Sequence, residues 1–242
     1  MDIQKLVVHI PARAGSKRLR SKNLRLLRGK PMISYAIDCA LASGLADEIY
    51  VNTDSSELSE LAIESGVKVY KRDPSLAADD STGDDFTADI IESLQLDTLM
   101  MISPVCPLVT VEDVTRAIEC YRNDSAADTL ITCTETQMQA AMEGTFVNIK
   151  PGAPLAPTQD NPKIQICNWA VTIWNGPTFL RNYRKFKGGY CGTRRILLPI
   201  DPLHSVKVSN EADFRLVESL LRVSEDSGGE GEVRYWGDSS NA

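Results

Sequence analysis

No stretch of this chain approaches the roughly 18 consecutive apolar residues of a membrane-spanning helix, so no span is expected. Met1-Asp2-Ile3-Gln4-Lys5 lacks the charged-then-apolar layout of a secretory signal. The six cysteines (Cys39, Cys106, Cys120, Cys133, Cys167, Cys191) form no C-x-x-C pair and read as free buried thiols of a cytoplasmic protein. Positive charge is in deficit: 26 Lys and Arg against 33 Asp and Glu give a net charge of −7, which argues against general nucleic-acid binding. The G-x-x-x-x-G-K-[S/T] loop of the common NTPases, the G-x-G-x-x-G of dinucleotide binders and the G-x-S-x-G elbow of serine hydrolases are all missing. No Asp-x-Asp motif follows Ile102 or Cys133, which ranks a metal-dependent glycosyltransferase last, and no internal repeat is visible.

What is present is a chain with 43% hydrophobic residues in which strand-like runs alternate with helical periodicity. That alternation predicts a mostly parallel sheet flanked by helices. One α/β domain over residues 1–223 is expected, followed by a Gly-, Ser- and acid-rich tail from Ser224 that is expected to be disordered. Strands are predicted at Leu6–Ile10, Glu48–Asn52, Val67–Tyr70, Thr98–Ile102, Leu130–Cys133 and Ala170–Trp174. Helices are predicted over Met32–Ala42, Glu57–Ser65, Phe86–Leu94 and Val111–Tyr121, the last capped by Thr110, with a further amphipathic helix after Asn210. Residues 135–163 are poorly periodic and carry Pro151, Pro154, Pro157 and Pro162.

The loop after the first strand carries the strongest chemical signal. Gly15 and Ser16 supply a tight turn, and Arg13, Lys17, Arg18, Arg20 and Lys22 supply five cations against an acidic background. Backbone N–H groups of such a turn form a nest for phosphate oxygens, which Lys and Arg heads then neutralise. The loop follows the carboxyl end of a strand, where open α/β sheets take their ligands.

Pro11-Ala12-Arg13-x-Gly15-Ser16-Lys17-Arg18-x-x-x-Lys22-Asn23, followed by Gly29-Lys30-Pro31-Met32, resembles the opening of the sugar-activating cytidylyltransferases, in particular the CMP-sialic acid synthetases with their pseudaminic and legionaminic acid relatives. The resemblance spans about residues 3–222 and is closest over 5–80. It implies a Rossmann-like sheet of the nucleotide-diphospho-sugar transferase type. It also implies transfer of CMP from CTP to an acidic 2-keto sugar with release of pyrophosphate, Mg²⁺ as cofactor, and a homodimer built through a mid-chain excursion at 135–195. Carried onto this sequence, it places Ala12, Arg13, Ala14, Gly15, Ser16, Lys17, Lys22 and Asn23 at the triphosphate, with Arg18 a helper. Asp54, Arg72, Ala78, Asp79 and Ser81, with Thr82 as helper, fall at the nucleotide, and Ser103, Asn168 and His204 at the acceptor sugar. Arg13, Lys22 and Lys207 are then the catalytic cations.

Several positions depart from the family pattern. Ser103 and Val109 replace Gln and Arg, and Trp169 replaces Gly. Lys207 and Ser209 replace the two aspartates that hold magnesium, so the metal ligands are left unassigned. Lys207 as a point cation, Asp54, Asp201 and a phosphate-borne metal are the open substitutes. A relative that binds nucleotide for regulation or assembly, without catalysis, is the rival reading. Asp54 reads equally as a helix cap, the aspartates at 79, 80, 84 and 85 as a solvated run, His9 as a core or edge residue, and Trp169 and Trp174 as packing residues.

Overall fold

The computed structural model describes residues 5–15 and 19–226. Ser16, Lys17 and Arg18, expected at the triphosphate, lie outside the described residues, as does the tail from 227 to 242. Seven strands form one sheet: β1 (Leu6–Pro11), β2 (Glu48–Thr53), β3 (Lys68–Lys71), β4 (Thr98–Ile102), β5 (Thr129–Thr136), β6 (Ile164–Asn175) and β7 (Arg195–Pro199). Their spatial order is β7-β5-β6-β4-β1-β2-β3. Neighbours run parallel except for β6, which lies antiparallel between β4 and β5.

Among the described residues six α-helices flank the sheet: α1 (Met32–Ser43), α2 (Ser56–Glu64), α3 (Gly83–Leu94), α4 (Val111–Asn123), α5 (Gly176–Phe186) and α6 (Glu211–Asp226). The apolar run of β1 is continuous because the strand is buried on both faces. Val8 and Ile10 join Ile33 and Ile37 of α1 and Val114 and Ile118 of α4 in one core cluster. Val7 points to the other face, against Ile90 and Ile91 of α3, Trp174 of β6 and Phe179 of α5. A smaller cluster joins Leu19, Leu27 and Met32 to Phe214 and Val217 of α6, closing the C-terminal helix over the start of the chain.

Local signals fix the joints. Thr82 and Thr110 each begin a helix with a capping box, accepting the N–H of the residue three further on while that residue's carboxylate accepts from the cap. Arg28 and Gly29 both have positive φ (52° and 79°), the two-residue turn that joins the short strands Leu26–Leu27 and Lys30–Pro31.

The structure divides the 135–195 stretch. Only about 137–163 is irregular, with a small hairpin at Ala141–Met142 and Thr145–Phe146. Residues 164–175 form a central strand, and α5 and β7, which periodicity did not reveal, complete the sheet. Helix α5 starts where Gly176 is pressed so closely on the Leu96 carbonyl that a Cβ would come within 1.9 Å. Helix α6 runs to Asp226, past the expected start of the tail. The free-thiol expectation holds, but Cys167 and Cys191 are exposed, not buried.

Candidate active site

The chain order turns away from β1 in two directions, to β2 on one side and β4 on the other, so a crevice opens at the carboxyl ends of β1 and β4. A cleft of about 500 Å³ fills that position. Pro11 from the end of β1 and Pro104 and Val105 from the turn after β4 line it, together with Arg13, Lys22 and Arg72. Gly15, Asn23, Phe86 and Ser209 complete its walls. Three cations therefore face one crevice in a chain that is acidic overall.

Arg13 is a clamp between two loops. Its Nη1 donates to the carbonyls of Ala77 and Ala78 at 3.1 and 3.2 Å, and its Nη2 to Asp79 Oδ1 at 3.2 Å. The loop expected to hold the base is thus tied to the loop expected to hold the phosphates. Asp54 accepts the Ala14 N–H at 2.9 Å, while Ser55, the residue after it, caps α2. Asp54 is therefore not the cap of α2; its bond shapes the basic loop.

Arg72 is buried. It donates from Nε to Asn52 Oδ1 at 2.7 Å and from Nη2 to the Asn52 carbonyl at 3.0 Å, and it lies 4.3 Å from the Phe86 ring centroid. Burial lowers its pKa to about 10, which leaves it a cation at neutral pH. Beneath it His9 is fully buried against Phe86 and Trp174, and burial pushes its pKa down to about 3. His9 is a neutral core residue, as its place in β1 suggested.

The far wall is the segment 207–209. Lys22 Nζ donates to the Val208 carbonyl at 3.1 Å, and Val208 N–H donates to the Val105 carbonyl at 2.8 Å. Val208 is fully buried, Ser209 lines the cleft, and Lys207, two residues before Ser209, is exposed. Asp213 accepts the Ser209 and Asn210 N–H groups at 2.7 and 3.1 Å and so belongs to the cap of α6.

The acidic run at 79–85 is not a solvated face throughout. Asp84 accepts the N–H groups of Gly189 and Tyr190, and Asp85 accepts the Tyr183 hydroxyl besides capping α3. Ser81 is beside this cap with its buried Oγ lacking a hydrogen bond, and Asn23 Oδ1 at the cleft is likewise buried and unbonded.

None of the three residues expected at the acceptor sugar is among those lining the cleft. Ser103 follows β4 and donates its N–H to the Ala170 carbonyl at 2.9 Å. Asn168 sits in a bulge of β6, its Oδ1 accepting from Ala170 N at 3.1 Å and lying 2.7 Å from Thr132 Oγ1. His204 Nδ1 comes within 2.8 Å of Asp113 Oδ2, at an angle that makes no hydrogen bond, and that oxygen already accepts from Thr110. Trp169, in the bulge with φ of 58°, packs on Tyr190 with ring centroids 5.2 Å apart.

Sequence reasoning missed Phe86, Pro104 and Val105 as wall residues. Pro104, two residues past the buried strand that ends at Ile102, was the one available signal, since a proline there cannot continue the ladder and the chain leaves the sheet at its carboxyl edge.

A protein-held magnesium needs one or two carboxylates beside phosphate oxygens. The lining of this cleft offers guanidinium, ammonium, amide and hydroxyl groups and no carboxylate. Among the described residues no group of three or more His, Cys, Asp or Glu is placed to hold a metal. The donor set does not fit a magnesium ion bound directly by the protein.

A cation-lined crevice at the switch point of a mostly parallel sheet marks an α/β protein of the kind that takes anionic ligands at its strand ends. The chain belongs to the cytidylyltransferase family: the family model for cytidylyltransferases matches residues 7–150. It is 31% identical over 181 residues to an N-acylneuraminate cytidylyltransferase of Streptococcus agalactiae, covering 71% of this chain and 44% of that one. It is 36% identical over 124 residues to the CMP-N,N'-diacetyllegionaminic acid synthase of Legionella pneumophila, covering 49% and 53%. The match thus spans about half the length of these relatives. In fold it is similar to a CMP-2-keto-3-deoxy-manno-octonic acid synthetase solved with CTP, with a TM-score of 0.67 at 20% identity over 91% of this chain and 99% of that one.

Proposed function

We propose that this protein transfers CMP from CTP to an acidic 2-keto sugar and releases pyrophosphate. The observation that carries the reading is the convergence of Arg13, Lys22 and Arg72 on one cleft at the carboxyl edge of β1 and β4. The names of its relatives supply the nucleotide and the class of sugar. In the reaction a sugar hydroxyl oxygen bonds to the α-phosphorus, the bond from that phosphorus to the bridging oxygen breaks, and pyrophosphate carries the electron pair away. The hydroxyl proton passes to solvent or to a base. Negative charge grows on the phosphate oxygens, and cations fixed before the reaction stabilise it without reorganising. Arg13, Lys22 and Lys207 take this role, with Lys22 held in place by the Val208 carbonyl.

Arg13 couples the two ends of the nucleotide, since one guanidinium bonds the base-side loop at Ala77–Asp79 and lines the phosphate cleft. Ser103, Asn168 and His204 belong to the acceptor side. With Ser103 and Val109 standing where the family has Gln and Arg, the sugar need not be N-acetylneuraminate. The protein acts as a homodimer, a reading supported by the apolar side chains left exposed along 138–166: Met138, Met142, Phe146, Val147, Leu155 and Ile166.

The test is pyrophosphate release with CTP, Mg²⁺ and a panel of eight- and nine-carbon acidic 2-keto sugars. Release with at least one sugar is the expected result, and none with any member overturns the assignment.

A further inference from the structure

Building on the nucleotide reading, we propose that this cleft neutralises the polyphosphate with its own side-chain cations, and that Lys207 stands in the place of a protein-bound divalent ion. Charge count comes first. A nucleoside triphosphate carries about four negative charges at neutral pH. Arg13, Lys22 and Arg72 line the cleft, and Lys207 stands at its rim, between Lys22's partner Val208 and the preceding turn and two residues from Ser209, which lines it too. Lys22 and Lys207 also act together on one nearby group: both favour the thiolate of buried Cys106, against the burial that dominates and raises its pKa.

Among the described residues no carboxylate lines the cleft, and four on the neighbouring segments have partners of their own. Asp54 holds the Ala14 N–H, Asp79 holds Arg13, and Asp213 holds the N–H groups of Ser209 and Asn210. Asp201, the one carboxylate in the 201–209 segment, accepts the N–H of Leu203 at 2.8 Å within its own turn. Each of these carboxylates already has one oxygen committed to a backbone donor or a guanidinium. An ammonium at 207 would in addition repel a divalent ion beside it. The same ammonium attracts phosphate. The two effects point the same way: toward a site that takes the nucleotide without a metal fixed on protein oxygens.

The experiment is calorimetric titration of the full chain with CTP, once in EDTA and once with Mg²⁺ in excess. The expected result is two affinities within about threefold of each other. Lys207→Gln, an exposed position that leaves the core untouched, is expected to weaken CTP binding in EDTA by about tenfold. The double variant Lys207→Asp, Ser209→Asp is expected to bind CTP only when Mg²⁺ is present. Wild-type binding that requires Mg²⁺ overturns the proposal and leaves the nucleotide reading standing. Equal affinities with an unchanged Lys207→Gln variant overturn the role of Lys207. No CTP binding under either condition overturns both this proposal and the function on which it rests.

Discussion

Lys22 Nζ donates to the carbonyl of Val208 at 3.1 Å, linking positions 186 residues apart and joining the basic loop to the far wall of the cleft. The bond fixes an ammonium where the phosphates are expected. Lys22→Ala is expected to weaken CTP binding by about ten- to a hundredfold, the worth of one charge-assisted hydrogen bond. Calorimetry measures it directly, and unchanged affinity contradicts the placement of the triphosphate.

Arg72 serves the fold as well as the cleft. Replacing it by Met leaves Asn52 Oδ1 buried without its donor, while the Asn52 carbonyl keeps the Ala12 N–H at 3.0 Å. An orphaned buried acceptor costs about 1–3 kcal/mol, and a fall of that size in the stability read from urea unfolding is expected for Arg72→Met. Adding Asn52→Leu removes the orphan together with its former partner. The pair is expected to be less destabilised than the sum of the two single variants.

His9 makes stability depend on pH. Its folded pKa, lowered to about 3 by burial, lies below the 6.5 of an exposed histidine. The unfolded chain therefore gains a proton as pH falls through 6.5 while the folded chain does not, so stability is fully present above 6.5 and declines toward 3. The slope is about 1.4 kcal/mol per pH unit. Between pH 6.5 and 5 the wild type is expected to lose about 2 kcal/mol more than a His9→Leu variant, from urea midpoints at each pH. Equal slopes would place the imidazole in contact with water.

The exposed apolar side chains along 138–166 bear on assembly. Light scattering is expected to give a dimer mass for the wild type and a monomer mass for Met142→Asp, Phe146→Asp, which adds two charges to side chains 72% and 50% exposed. A wild-type monomer at working concentration contradicts the dimer.

How much of this was legible depended on how local each signal was. The strand at Leu6–Ile10, the Thr110 cap and the helix after Asn210 follow from runs and caps a few residues long, and the structure has all three. Helix α5 was missed because its apolar stripe is short. Phe179, Leu180 and Tyr183 gain their meaning from Trp174, on β6 beneath them, and Pro177 reads as a breaker until Asn175 is known to cap a helix there. In the site, the cation-rich loop announced itself by composition, but its geometry did not. That Arg13 would grip Asp79, 66 residues on, is a product of how β1, β2 and β3 lie side by side. The aspartates at 84 and 85 misled for the converse reason: their partners, Gly189, Tyr190 and Tyr183, come from a helix and loop that sequence pattern had not resolved.

The antiparallel strand β6 also sets an order on the life of the chain. As synthesis proceeds, β4 and β5 are complete by Thr136, yet the strand that belongs between them begins only at Ile164. Until then each presents a bare edge of unpaired N–H and C=O groups, flanked by Leu99, Met100, Leu130 and Ile131, which are buried in the finished fold. A nascent chain made as far as residue 150, where the family match ends, already carries the basic loop but has a gap in the middle of its sheet. Such a fragment is a sticky template for other strands, and the ribosome must deliver some 25 residues more before the gap closes at Asn175.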